Sequence, residues 1–294
     1  MSVVPKPSDP AGGQQEAFAF VQELAAEMSR GKIDLPGFPN IAMRVRQVLA
    51  DQEVGPEKVV RVISSEPVLA ARLLRMAGAA ARNPTGKPIT DLRTAVVRVG
   101  LDVVRSATFS FALSQMRNVE ALKGLEGPLD ELWRRSAAVA AMTYVLARRH
   151  TRVNADTALL AGLLHSIGKL YILTRAAGHP ALFADQATFH SIVRDWGSPV
   201  AKAVLENWGL AEEIVTAVSE FQDFERQHEG PLDLVDVLTI GYLLAAYKEH
   251  PESIELNLQN VSACTRLPLD LQGYLTLIQE SESEIAELYR ALGV

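Results

Sequence analysis

The residues with the most chemical potential are His165-Ser166-Ile167-Gly168-Lys169. They sit within an apolar stretch, Ala155 to Leu173, that otherwise reads as core. A histidine followed by an aspartate there would offer adjoining ligands to a divalent metal, which lowers the pKa of bound water and clamps a phosphoryl group. Ser166 stands where that aspartate would be, and it is a poor ligand beside a carboxylate. His165 therefore reads first as a helix-end histidine that packs and hydrogen-bonds a neighbour. The sharper reading makes it a remnant of a polar pocket that still takes an anion. Gly168 is expected to be the residue that closes the helix.

Other reactive side chains are dispersed. His190 lies alone on a mixed face, which favours a surface or structural role. Arg134-Arg135 and Arg148-Arg149-His150 with Arg152 concentrate positive charge. Near helix C-termini such residues complement the dipole, and nucleotide-phosphate binding is the less ordinary alternative. There is no Gly-x-Ser-x-Gly nucleophile motif and no P-loop. Trp133, Trp196 and Trp208 are expected as core or interface anchors rather than stacking platforms. Phe109 and Phe111, two residues apart, cannot share one helix face, so one of them is expected to be exposed.

Composition narrows the classes. The 294 residues carry a net charge of -6, with 29 basic and 35 acidic side chains, so no chain-wide basic field for DNA exists. With 48% hydrophobic residues a large core can form. The single cysteine, Cys264, can make no internal disulfide and belongs to no zinc cluster, which fits a reducing cytoplasm. Residues 1–14 hold Pro5, Pro7, Pro10 and Gly12-Gly13 without an apolar signal region, and are expected to be disordered. The helical apolar runs Ala137–Ala147 and Val237–Tyr247 are each about half the ~20 residues that span a bilayer. A cytoplasmic protein without membrane spans is expected.

The elements that must position these residues are helices. Phe18, Val21, Leu24, Ala25 and Met28 mark one face of a helix from Gln15, closed by Gly31. Asn40 is a candidate cap for Ile41–Leu49, and Gly55-Pro56 starts a short helix. Ser65-Glu66-Pro67 opens another, and Asn83–Pro88 reads as a loop. Thr90 is expected to cap Asp91–Val99, with a break at Gly100. Asp130–His150 is apolar nearly all round, hence central. Helices follow at Leu182–Trp196, Pro199–Trp208, Ala211–Phe224 and Pro231–Glu249, then three short ones to Leu292. No period-2 alternation bounded by hairpin turns occurs, so the chain is all-α.

Several separated motifs in order carry a family resemblance. They are Leu35-Pro36 with Pro39; Val62-Ile63-Ser64-Ser65-Glu66-Pro67 running on to Leu74; Pro88-Ile89-Thr90-Asp91-Leu92 leading to Gly100-Leu101; Leu132-Trp133-Arg134-Arg135-Ser136; and Leu160 to Lys169. Together they resemble the HDOD family, the HD-related output domain of bacterial signalling proteins. The resemblance implies an N-terminal helical subdomain, residues 15–126, packed on a degenerate HD-like helical subdomain, residues 127–250, with a C-terminal helical extension over 251–294. It implies a non-catalytic signal-transduction module that acts by protein–protein interaction, with links to two-component or cyclic di-GMP signalling.

Carried residue by residue, the resemblance also implies a dismantled metal site. Arg135 stands where the first HD histidine would be, His165 is retained, and Ser166 replaces its aspartate. His190 falls near a later histidine, Glu220 near another, and Gly241 near the final aspartate. Arg135, His165, Ser166, Lys169, His190 and Glu220 would then form a vestigial pocket. No metal, cofactor or catalytic residue is expected, and the partners are signalling proteins, with a nucleotide as a candidate ligand. The rival readings are an HD-type phosphohydrolase or phosphodiesterase and a nucleotide sensor that binds without cleaving.

Overall fold

Helix boundaries follow local chemistry in the computed structural model, which describes residues 10–31, 33, 35, 38–51, 54–78, 89–116, 118–246, 260–267 and 269–292. Among these residues no strand occurs. The helices are α1 (Pro10–Arg30), α2 (Asn40–Leu49), α3 (Pro56–Ile63), α4 (Pro67–Gly78), α5 (Leu92–Met116), α6 (Glu126–His150), α7 (Ala155–Leu164), α8 (Ile167–Ala176) and α9 (Pro180–Ala184). After them come α10 (Gln186–Asn207), α11 (Glu212–Glu220), α12 (Leu234–Ala245), α13 (Ser262–Arg266), α14 (Leu271–Glu280) and α15 (Glu282–Leu292).

Several starts and stops differ from expectation. Helix α1 begins at Pro10 rather than Gln15, because proline suits the first helical turn; the expected disorder of residues 1–9 lies outside the described residues, as does the Asn83–Pro88 loop. Pro39, not Asn40, is the N-cap of α2 and supplies no side-chain acceptor. Asp91 replaces Thr90 as the cap of α5, accepting from the Thr94 N–H at 2.7 Å. Gly100 does interrupt α5, at φ 80° and ψ 168°, a conformation open to glycine. Helix α10 runs through Pro199 as one element. Asp195 and Pro199 are both exposed, so water can satisfy the Asp195 carbonyl that lost its N–H donor.

Two apolar clusters form the interior. One joins α2 to α5 through Val45, Val59, Ile63, Leu69, Leu73, Val96, Val103 and Phe111. The other is built on α6 and α7 and takes in α8, α10, α11, α12 and α14. Helix α1, expected with the N-terminal subdomain, puts Phe20 and Leu24 into this second cluster. Its Glu27 pairs with Arg175 of α8 and accepts from the Tyr171 hydroxyl. The second half of α5 lies between the clusters: Phe111 enters the first, Phe109 the second. The 200° between them is thus used in full, and neither ring is exposed, at 5% and 3% accessibility.

Helix α6 is central, as its all-round apolarity requires. Its neighbours reach it through missing side chains. A Cβ on Gly162 of α7 would lie 2.4 Å from the Ala140 Cα. The same holds for Gly241 of α12 against Thr143. The helix from Ala155 ends at Leu164, with His165 as its C-cap rather than Gly168 closing it, and a second helix restarts at Ile167, so that His165-Ser166 is the turn between α7 and α8. Asn154 caps the first, accepting from the N–H groups of Asp156 and Thr157 at 2.9 and 3.0 Å. Taken together, Ala155–Ala176 is long and apolar enough to cross a bilayer, longer than the apolar runs noted in the sequence, but 89% of its apolar window is buried inside the protein.

Candidate functional site

The turn between α7 and α8 opens onto a cavity of about 410 Å³. Helix α6 supplies Glu131, Leu132 and Arg135 to its wall, and the turn supplies His165 and Ser166. Gly168 and Lys169 come from the first turn of α8, and His190, Arg194, Gly197 and Ser198 from α10. Phe221, just past α11, and Tyr242 of α12 complete it. Five of the six side chains expected in one pocket therefore meet: Arg135, His165, Ser166, Lys169 and His190.

Glu220 does not join them. It points to Arg226, at 3.3 Å, and is exposed. The next residue, Phe221, faces the cavity instead, because one step along a helix end turns the side chain by about 100°. Gly168 is corrected as well. It does not end a helix but lies in the first turn of α8, where a Cβ would meet the Gly197 carbonyl oxygen at 2.0 Å. Absence of a side chain lets α8 and α10 touch beside the cavity.

His165 is buried. Its Nδ1 lies 2.7 Å from the Gly162 carbonyl, which can only accept, so Nδ1 carries the proton and Nε2 is left as an acceptor. The ring meets Phe221 edge-on at 5.7 Å and Tyr242 at 5.8 Å. Burial pushes its pKa down to about 4; the bond to Gly162 opposes this, and the nearby charges of Arg135 and Lys169 add to it. At neutral pH it is an uncharged imidazole. The Ser166 hydroxyl is 2.7 Å from that of Ser136, and the Arg135 guanidinium lies over the Tyr242 ring at 5.2 Å.

This donor set does not fit a divalent metal. Arg135, Lys169 and Arg194 bring fixed positive charge to the wall, against one carboxylate, Glu131. Among the described residues no three histidine, cysteine or carboxylate side chains converge there. Such a group does occur at His228, Asp233 and Asp236. Arginines already occupy it: Arg226 grips Asp233 with two nitrogens, at 2.7 and 3.2 Å, and the Arg266 Nε lies 3.6 Å from Asp236. Asp233 and Asp236 also form the capping box of α12. The cluster is a structural lock between the α11–α12 connection and α13.

Two of the arginines at the end of α6 are likewise structural. Arg148 pairs with Glu284, and Arg149 with Glu280 and Glu284, tying α6 to the C-terminal helices. Arg194, Ser198 and Tyr242 carry no signal in the sequence as site residues, and Phe221 is marked only as the neighbour of Glu220. They reach the cavity from different elements, so no spacing along the chain marks them as a set.

Comparisons with known proteins place this geometry. The HDOD domain model matches residues 35–224. A protein from Shewanella amazonensis SB2B named as a proposed metal-dependent phosphohydrolase superposes with TM-score 0.70 at 24% identity, over 95% of this chain and 99% of that one. An HDOD domain protein of unknown function from Geobacter sulfurreducens gives 0.61 at 22%, over 92% and 96%. A proposed signal transduction protein from Marinobacter aquaeolei VT8 gives 0.59 at 20%, over 95% and 66%. At these identities the likeness concerns the fold. No curated protein sequence matches the chain.

Proposed function

The chain belongs to the HDOD domain family, and on that premise we propose that it is a non-catalytic regulatory module of signal transduction, working in the cytoplasm by binding partner proteins. The observation that carries this reading is the cavity wall. A guanidinium and an ammonium group stand with His165 where an HD-type enzyme would gather carboxylates and histidines around a metal. Gly241, near which the resemblance puts the final aspartate, is committed to the contact with Thr143. Its setting in a two-component or cyclic di-GMP pathway rests on the family resemblance alone. Val68 on α4 and Val97 on α5, 52% and 60% exposed, are the first positions at which to probe a partner contact.

The test of the non-catalytic reading is metal analysis of the purified protein, followed by hydrolysis assays on cyclic di-GMP and nucleoside phosphates with manganese or iron added. The expected result is no stoichiometric metal and no turnover. Bound metal together with hydrolysis that His165→Ala abolishes would establish the phosphohydrolase reading instead.

A further inference from the structure

The cavity beside His165 is more than the place of a lost metal site. Its wall is predominantly positive, with three cationic side chains against the single carboxylate of Glu131. Lys169 makes no ion pair among the described residues. Arg135 approaches from α6 and Arg194 from α10, so cations from three helices border one space. Arg194 has a partner, Asp195, at 3.0 Å, but that pair is solvent-exposed and easily exchanged.

A second, independent feature points to the same space. Helix α8 has no side-chain cap: the Ser166 hydroxyl, at its N-cap, is turned to Ser136. Ser166, Gly168 and Lys169 at this helix start all line the cavity. The positive end of the α8 dipole and its first-turn N–H groups therefore lie at the wall that Lys169 borders. The volume, about 410 Å³, lies within the ~300–1,000 Å³ common for small-molecule sites. The Ser198 hydroxyl can donate to a ligand's oxygen atoms, and the Nε2 of neutral His165 can accept from a ligand hydroxyl.

We propose that this cavity binds the phosphate monoester group of a small phosphorylated ligand, held by Arg135, Lys169 and Arg194 against the uncapped start of α8. The inference rests on the non-catalytic reading of the same cavity, and it makes the module a sensor as well as a partner surface. Two carriers share the chemistry, a sugar phosphate and a nucleotide, and the aromatic groups Phe221 and Tyr242 offer a base or sugar an apolar wall.

The test is titration calorimetry on the full chain with ribose 5-phosphate, GMP and guanosine, at two salt concentrations. The expected result is saturable binding of one or both phosphates, weakened by salt, with guanosine silent. Equal affinities mean that the phosphate alone is read; tighter GMP binding means that the base is read too, and both outcomes uphold the site. Lys169→Glu, an exposed change that leaves the core intact, should weaken binding by about tenfold or more. Lys58→Ala on α3 should leave it unchanged. Binding of neither phosphate at millimolar concentration, or Lys169→Glu and Arg194→Ala both binding as wild type, would overturn the proposal. Release of inorganic phosphate from GMP during the titration would instead overturn the non-catalytic reading while leaving the site in place, so the two failures are distinguishable.

Discussion

Gly241 of α12 rests against Thr143 of α6 so closely that a Cβ on it would lie 2.4 Å from the Thr143 Oγ1 and 3.0 Å from its Cα and N. Thr143 cannot yield easily, because it is buried and its hydroxyl donates to the Val139 carbonyl at 2.6 Å. Gly241→Ala should therefore force the helices apart and cost about 1–3 kcal/mol. Gly241→Asp should cost more, since it adds a carboxylate to a buried contact. The urea midpoint of each variant checks this. An aspartate at 241 should thus damage the fold rather than supply a metal ligand.

The contact between α8 and α10 gives a prediction with two signs. A Cβ on Gly168 would collide with the Gly197 carbonyl, whereas one on Gly197 would meet nothing within 4 Å. Gly168→Ala should destabilise by about 1–3 kcal/mol through overpacking. Gly197→Ala, inside a helix and with room for the methyl group, should stabilise by about 0.5–1 kcal/mol. Thermal unfolding of the two single variants, at neutral pH, reads both signs.

His165 should make the protein acid-sensitive in a defined window. Its pKa is about 4 in the folded chain against 6.5 for an exposed imidazole. Between these values the unfolded chain binds the proton and the folded chain does not. Stability from this group is therefore complete above pH 6.5 and falls as the pH drops towards 4. The full effect is about 3 kcal/mol, from 1.36 kcal/mol per unit of pKa difference. His165→Gln should lower stability at neutral pH yet flatten the urea midpoint between pH 6.5 and 4. An unchanged pH slope in that variant would place the acid sensitivity elsewhere.

Which features were legible in the sequence follows from the range of the physics behind them. The Gly100 break and the apolar girth of α6 depend on a residue and its near neighbours, and both are where periodicity placed them. His165 ends α7, as a helix-end histidine should, but the restart at Ile167 is hidden, because the apolar run continues to Leu173 and a glycine at 168 suggests an end rather than a beginning. Gly168 carries a local explanation as a glycine near a helix end, but its partner is Gly197, on another helix. Glu220 was one helical step out, with Arg226 six residues on drawing it away from the cavity. The shared pocket of Arg135, His165, Ser166, Lys169 and His190 came from family motif order, and Arg194, from α10, completed the charge only in three dimensions.

The C-terminal helix supplies the last prediction. Leu292, at the end of α15, is buried, and its carbonyl accepts from Arg72 of α4 at 3.0 Å and from Ser110 of α5 at 2.6 Å. At the other end of α15, Glu284 pairs with Arg148 and Arg149 of α6. The helix therefore spans from α6 to the N-terminal helices α4 and α5, and Arg72 is the charged group at its far anchor. Arg72 is itself 8% exposed and its guanidinium lies over the Phe111 ring at 5.7 Å. Arg72→Met keeps the side chain's bulk but removes the donor, and should cost about 1.5–3 kcal/mol. If α15 is held mainly at this anchor, amide exchange over residues 282–292 should accelerate more than exchange within α6. Equal acceleration in both would mean that α15 opens only when the whole chain unfolds.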